Sequence, residues 1–173
     1  MPDRHQPSAH RGGWLQDNDG VSPLDNRRPR PTMPDDRHAS TGIFDIPAIA
    51  KSLPDTAKTL LVDKYLTDRE QASARVFRVY RPTPPHYHAT CDEYLYVVSG
   101  RGTFWMKDAA TKAEFGPGQL LFFERNTVHA MPELYEEPVV FLSIDTPRRN
   151  PTDIIFVDPN DGSPATFMAR NAE

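Results

Sequence analysis

Short strand-like segments separated by glycine and proline run through most of this chain, and they constrain its fold more than any other feature. Residues 72–80 alternate in polarity, with Phe77 and Val79 on one face, and a period of two is typical of a half-buried strand. Further strand-like runs lie at residues 60–66, 93–99, 103–107, 112–115, 119–124, 139–144 and 154–157. The pattern predicts an all-β sandwich or jelly-roll barrel, since an alternating strand-helix fold needs helical segments of about 10–15 residues that are missing here.

One short helix is predicted before the strands, within residues 43–53. Asp45 is a suitable N-cap, Pro47 suits a first helical turn, and Pro54 ends the segment. The barrel domain is therefore expected to span residues 41–173.

Residues 1–40 differ in composition from the rest, being rich in Pro, Asp and Arg and poor in aliphatic residues. Six Arg and six Asp balance one another there, and the sequence predicts an extended arm that is mobile unless it packs on a surface. The short basic cluster at residues 27–30 leaves a nucleic-acid or partner tail as the weaker alternative.

Charge and cysteine content narrow the class of protein. The formal net charge is −4, which gives no electrostatic reason to expect a nucleic-acid or membrane surface as partner. No apolar run is long enough to span a bilayer, and the first residues contain no secretory apolar core. The single cysteine, Cys91, excludes an intramolecular disulfide and suits a reducing compartment, so a cytoplasmic protein is expected.

Three histidines and one glutamate form the most informative chemical pattern. His86 and His88 are two residues apart, which places both side chains on one face of a strand. Glu93 follows closely, and His129 comes after a Gly-Pro-Gly turn and an apolar run. Imidazole and carboxylate together suit Fe, Mn, Ni, Cu or Zn, whereas thiolate-rich sets suit structural zinc. Each residue alone could be an ordinary surface or core side chain, but the combination predicts one metal site.

These residues also carry a family resemblance. The stretch from Tyr80 to Gly100 resembles the first cupin motif, G-x5-H-x-H-x4-E-x6-G, with Tyr80 standing where the first glycine is usual. The stretch from Gly118 to Glu133 resembles the second motif, G-x5-P-x-G-x2-H-x3-N. There Gly118 and His129 match, while Glu124, Asn126 and Glu133 replace the usual proline, glycine and asparagine. The resemblance covers roughly residues 58–158.

The resemblance implies a double-stranded β-helix, the jelly-roll barrel of cupins, carrying a Pro-rich N-terminal arm and one short helix. It implies that His86, His88, Glu93 and His129 are the metal ligands and that the chain forms a homodimer. The fold does not decide the reaction, since one fold hosts many chemistries.

Three functions are possible for a metal centre whose coordination positions are not all filled by protein ligands. The first is a dioxygenase-type oxidoreductase in which Fe(II), the favoured metal, binds dioxygen beside a small organic substrate. The second is an isomerase, lyase or cyclase that uses Mn, Ni, Cu or Zn as a Lewis acid on a sugar acid or enolisable ketone. The third is a non-catalytic module that binds a small ligand.

Five further residues are weaker candidates for the substrate pocket. Arg78 and Tyr80 precede the histidine pair on a strand and could hold an anionic or hydroxylated substrate. Cys91 lies between His88 and Glu93 and could be a redox partner, although a lone cysteine is more often a small buried hydrophobe. Glu124 could be a general base near the mouth, and Phe141 could line the barrel interior.

Overall fold

The computed structural model describes residues 41–170, and the arm predicted at residues 1–40 lies outside this range. The described residues form mostly strands, together with α1 (Ile46–Ser52) and α2 (Pro164–Phe167). The strands in chain order are β1 (Leu61–Asp68), β2 (Ser73–Val79), β3 (Thr83–Tyr87), β4 (Asp92–Trp105), β5 (Lys112–Phe115), β6 (Leu120–Phe123), β7 (His129–Met131), β8 (Glu133–Thr146), β9 (Ile155–Phe156) and β10 (Met168–Arg170). Short 3-10 turns lie at Ala109–Thr111 and Pro159–Asp161.

Two sheets make up the barrel. The larger sheet has the strand order β10-β1-β2-β8-β4-β5, and β6 pairs with the first part of β4. The smaller sheet has the order β7-β3-β9. Every pairing is antiparallel except that of β1 with β10. This arrangement confirms the all-β jelly-roll barrel expected from the strand pattern.

Strand alternation places one face of the larger sheet in the barrel interior. On β2 the buried residues Arg75, Phe77 and Val79 share that face. Phe77 stands directly opposite Phe141 of β8, and their rings are 5.3 Å apart. Leu95 of β4 and nine further buried side chains complete this interior cluster. Burial of these apolar side chains is the main stabilising contribution to the barrel.

The outer face of the same sheet is covered in part by α1. Asp45 caps the helix by accepting a hydrogen bond from the backbone N–H of Ala48 at 3.0 Å. Pro47 lies in the first turn, and Leu53 ends the helix in extended backbone. Leu53 packs into a second apolar cluster with Val76 and neighbours on β1 and β8. The short helix predicted within residues 43–53 is therefore confirmed.

Strand β3 runs through a proline-rich segment. Pro84 and Pro85 lie where the register between β3 and β7 shifts, between the pairs Thr83–Met131 and His86–His129. Proline lacks a backbone donor, so its place in a register break costs little pairing. The Thr83 hydroxyl accepts the Met131 N–H at 2.8 Å instead. The strand-like runs predicted from the pattern of polarity include neither β3 nor β7, although the spacing of His86 and His88 already placed that pair on a strand.

Among residues 41–170, no helix is long and apolar enough to cross a membrane.

Two glycines that match the cupin motifs give a matched test of the barrel turns. Both have left-handed backbone, with φ of +83° at Gly100 and +87° at Gly118. A Cβ at Gly100 would lie 2.7 Å from the Glu136 carbonyl oxygen, whereas a Cβ at Gly118 would meet nothing within 4 Å. Gly118→Ala should lower the free energy of unfolding by about 1–2 kcal/mol through backbone strain alone. Gly100→Ala should add about 1–3 kcal/mol of steric overlap.

Urea denaturation of both variants measures this difference. Equal midpoints for the two variants would contradict the close packing around Gly100.

Candidate metal centre

Three strands and the loop after β3 bring the predicted ligands together in the barrel interior. His86 lies on β3 directly opposite His129, the first residue of β7. His88 follows the end of β3 on the same face as His86, and Glu93 points inward from β4. All four side chains are buried, with exposed fractions of 4 % or less.

The three imidazoles and the carboxylate lie within reach of one ion. One nitrogen from each of His86, His88 and His129 lies within 4.8 Å of the others. Glu93 Oε2 lies 3.5 Å from His88 Nε2 and 3.5 Å from His129 Nε2. A single cation between these side chains could bind one atom from each of the four residues.

Backbone carbonyls set the tautomer of each ring. Nδ1 of His86 lies 2.8 Å from the Pro84 oxygen, and Nδ1 of His129 lies 2.9 Å from the Thr127 oxygen. Nδ1 of His88 contacts the Asp153 oxygen. A carbonyl can only accept, so each Nδ1 carries the proton and each Nε2 lone pair is left for another partner. His129 Nε2 has no hydrogen-bond partner among the described residues.

The protonation states also suit a ligand set. Burial lowers the pKa of His86 well below its ordinary value, and the neighbouring His129 and His88 add to the shift. Burial likewise lowers the pKa of His88, although Glu93 opposes this. Burial alone would raise the pKa of Glu93, but contacts with His88 and His129 hold it well below its usual range. Neutral imidazoles beside an ionised carboxylate are the forms that bind a metal.

The residues present therefore fit a divalent transition metal. Three nitrogen donors and one oxygen donor suit Fe, Mn, Ni, Cu or Zn. The carbonyl contacts at Nδ1 are the outer support that metal-bound histidines normally have. An unpartnered buried nitrogen such as His129 Nε2 is costly without an ion or water. That the four residues are ligands stays a prediction.

Two buried arginines lie beside the four residues, and both were missed from the sequence. Arg75 Nη2 lies 3.3 Å from Glu93 Oε1, and Arg75 Nη1 lies 3.3 Å from Asp63 Oδ2. Arg149 Nη1 lies 3.2 Å from His88 Nε2. Asp145 joins the network at 3.6 Å from the Nε atoms of both arginines.

The sequence held a signal for one of these arginines only. Arg75 is in phase with Phe77 and Val79, so the alternation of β2 already places it on the interior face. Arg149 follows β8 in a loop, and a loop residue has no periodicity that would reveal where its side chain points.

Asp153 is a further supporting residue that was not predicted. Its carboxylate accepts the backbone N–H groups of Ala89 and Thr90 at 2.8 and 2.9 Å. Its carbonyl oxygen contacts His88. These bonds tie the loop after β3 to the segment after β8 and thereby orient the His88 ring.

Arg78 and Tyr80 do not line this site, which corrects their assignment to the pocket. Arg75, Phe77 and Val79 face the interior. Arg78 and Tyr80 occupy the alternate positions and therefore face outward. Arg78 Nη1 binds Asp55 Oδ1 at 2.9 Å, and the Tyr80 hydroxyl donates to the Pro54 carbonyl. Both side chains belong to the layer around α1.

The other three weak candidates have different surroundings. Cys91 is buried, and burial raises the pKa of its thiol to about 12, so it is a neutral thiol at neutral pH. Glu124 is exposed and lines a shallow surface groove with Phe122 and Phe104. Phe141 is fully buried in the interior cluster, packed on Phe77 and Phe115, and it does not line the cavity at the histidines.

A small cavity opens beside the imidazoles. Its volume is about 20 Å³, which suffices for one or two waters, since each needs roughly 10–15 Å³ of such space. The Phe167 ring of α2 borders it, 4.7 Å from the His86 ring. An organic molecule of more than a few atoms would require this ring or its neighbours to move.

The buried arginine network generates a stability prediction. Arg75→Met leaves Asp63, Glu93 and Asp145 with one cation fewer, and breaking such a buried network should cost about 3–5 kcal/mol of unfolding free energy. Arg125→Met is the matched control, because Arg125 binds Asp92 on the exposed surface and such pairs contribute little. Urea denaturation of chelator-treated protein measures both, and equal stability of the two variants would contradict the structural role of Arg75.

Comparison with known proteins agrees with this fold. The cupin domain family matches residues 78–145, while a comparison with curated protein sequences finds no match. A double-stranded β-helix protein from Klebsiella pneumoniae is similar at 14 % identity and a TM-score of 0.53, covering 62 % of this chain and 91 % of its own. A candidate mannose-6-phosphate isomerase from Ralstonia eutropha is similar at 20 % identity and a TM-score of 0.53, covering 61 % and 98 %.

A third similar structure, the polyketide cyclase RemF from Streptomyces resistomycificus, has 24 % identity and a TM-score of 0.48, covering 57 % of this chain and 72 % of its own. The two similarities with a TM-score of 0.53 show the fold and no particular reaction. With its double-stranded β-helix and its match to the cupin domain family at residues 78–145, which contain both histidine-bearing segments, the described barrel is a cupin domain.

Proposed function

We propose that this protein is a metal-dependent enzyme acting on a small organic molecule. A divalent transition metal would be held by His86, His88, Glu93 and His129. The observation that carries the proposal is the convergence of three Nε2 lone pairs, each fixed by a carbonyl at Nδ1, beside an ionised carboxylate.

Four protein ligands would leave coordination positions open on a metal that prefers more than four. Open positions are typical of catalytic rather than structural sites. The cavity lies on the same side as the rings, and half of its lining residues are apolar, among them Phe77 and Met131. A small molecule in this cavity would contact the metal and be shielded from water.

We favour Fe(II) and a dioxygenase-type reaction, because imidazole and carboxylate ligands with open positions suit non-haem iron. When bound, the metal would supply a site for dioxygen. The chain's own contribution is to hold the substrate beside it in an apolar cavity. Glu93 and the neutral imidazoles would remain ligands throughout.

An isomerase, lyase or cyclase is the second candidate, and the buried arginines favour it. Arg75 and Arg149 place positive charge next to the site. Fixed cations of this kind stabilise an oxyanion or enolate that develops in a transition state.

The small cavity favours the third candidate, a closed binding module without turnover. The expected homodimer remains a prediction.

Metal content tests the site directly. Untagged protein purified without chelators should contain about one Fe, Mn, Ni, Cu or Zn ion per chain by elemental analysis. His88→Ala and Glu93→Gln each remove one ligand, and metal affinity should fall by more than about tenfold. Asp92→Asn is the matched control, since Asp92 neighbours Glu93 but pairs with Arg125 at the surface. Unchanged metal content in both ligand variants would show that these residues are not ligands.

Oxygen uptake separates the candidate reactions. Iron-loaded protein should consume dioxygen when small organic acids and ketones are supplied in an oxygen-electrode screen. Substrate turnover under anaerobic conditions would instead indicate the isomerase, lyase or cyclase. Retention of a small molecule with neither outcome would indicate a binding module.

A further inference from the structure

We propose that Arg149 is the anion-binding residue of this site and that the metal-loaded protein takes a small carboxylate as substrate or ligand. The proposal rests on the proposed metal site and names the class of molecule that it accepts. The carboxylate would lie in the cavity beside the open side of the metal, against the Arg149 guanidinium.

Arg149 is buried at the wall of the cavity. Its exposed fraction is 3 %, and it borders the cavity together with His86, His129 and Glu93. Its Nη1 lies 3.2 Å from His88 Nε2 and 3.7 Å from Glu93 Oε1. A guanidinium can only donate, so Nη1 donates to the lone pair of the His88 ring.

A bound metal would remove His88 Nε2 as a hydrogen-bond partner of Arg149. The His88 lone pair would be shared with the metal, while Glu93 Oε1 lies 3.7 Å from Arg149 Nη1. Arg149 would keep Asp145 Oδ2 at 3.6 Å from Nε and Met168 Sδ at 4.0 Å from Nη2. None of these is a strong hydrogen bond at that distance. Arg149 Nε, like Arg75 Nε, lacks a hydrogen-bond partner among the described residues, and unmet buried donors are costly.

Arg75 differs because carboxylates already match it. Its Nη1 and Nη2 donate to Asp63 Oδ2 and Glu93 Oε1, both at 3.3 Å. Its Nη1 also approaches Met168 Sδ at 3.1 Å. Arg75 therefore has a structural role. The N–H groups of the Arg149 guanidinium can donate hydrogen bonds to a ligand.

Charge balance favours an anion. The ion-paired network contains three carboxylates, of Asp63, Glu93 and Asp145, and two guanidiniums. With a divalent metal bound to neutral imidazole ligands, the charges of this ion-paired network would sum to one net positive charge. A buried net charge is unfavourable, and a monocarboxylate would cancel it.

The shape of the cavity limits the size of the anion. The volume of about 20 Å³ admits a group of very few heavy atoms without rearrangement. Carboxylate is also the planar group that a guanidinium binds with two parallel hydrogen bonds. A short carboxylic acid fits both conditions better than a neutral sugar.

Cobalt-substituted protein provides the test, because ligand binding to Co(II) changes its visible absorption without any need for turnover. Acetate is the probe, and acetamide is its neutral counterpart of nearly the same shape. Acetate should change the Co(II) spectrum at concentrations at which acetamide does not. Arg149→Met should weaken acetate binding by at least about tenfold, as expected for loss of a charge-assisted contact, without lowering the cobalt content.

Two variants control this experiment. Arg148→Met removes the neighbouring arginine, which pairs with Asp68 at the surface, and should bind acetate like the parent protein. Arg149→Lys keeps the charge without the planar fork and should lie between the parent and Arg149→Met. Circular dichroism checks that each variant is folded.

The outcomes separate this inference from the proposed metal site. Failure of the parent protein to take up cobalt would contradict the metal site itself. Cobalt uptake without any response to acetate would overturn the carboxylate assignment and leave the metal site standing. Equal acetate affinity in Arg149→Met and the parent protein would overturn the role of Arg149.

Discussion

An ionised carboxylate in the barrel interior is the constraint on which the rest of this structure depends. Glu93 is 4 % exposed and stands directly opposite Asp145 of β8 in the sheet. Two like charges at such a cross-strand pair repel one another, and burial makes each charge costly. Arg75 and Arg149 contact both carboxylates, so the interior tolerates the pair only because these guanidiniums are fixed beside it.

The Glu93 carboxylate also links the two sheets of the barrel. Glu93 and Arg75 come from the larger sheet, whereas His86 and His129 face one another across the smaller sheet. Glu93 Oε2 reaches His129 Nε2 at 3.5 Å, so the polar centre joins the sheets where apolar packing would otherwise do so. The apolar cluster around Phe77 and Phe141 then fills the remaining interior. Such a buried network is costly to break at one member, because the loss leaves an unpaired buried charge.

The sequence was informative wherever a period or a fixed spacing existed. Alternation along residues 72–80 predicted β2, and Asp45 with Pro47 predicted the start of α1. The sequence was less informative where strand pairing outweighed a local residue preference. Proline disfavours a central strand, yet β3 contains two prolines because the register break removes the need for their donors. Arg78 and Tyr80 share the even numbering of His86 and His88, but the proline run between the two pairs breaks the register, so the shared numbering does not place them on the same face.

The sequence alone determined the all-β fold class, the family resemblance and the set of three histidines and one glutamate, because these depend on residue type and short-range spacing. Only the tertiary structure decided that the four side chains converge, that each Nδ1 contacts a carbonyl and that Arg75 and Arg149 lie beside Glu93. Distances between residues far apart in the chain depend on strand pairing and register, and a single sequence contains no direct record of either. Arg149 is the clearest case, since it lies 61 residues from His88 along the chain and 3.2 Å from its ring in the barrel.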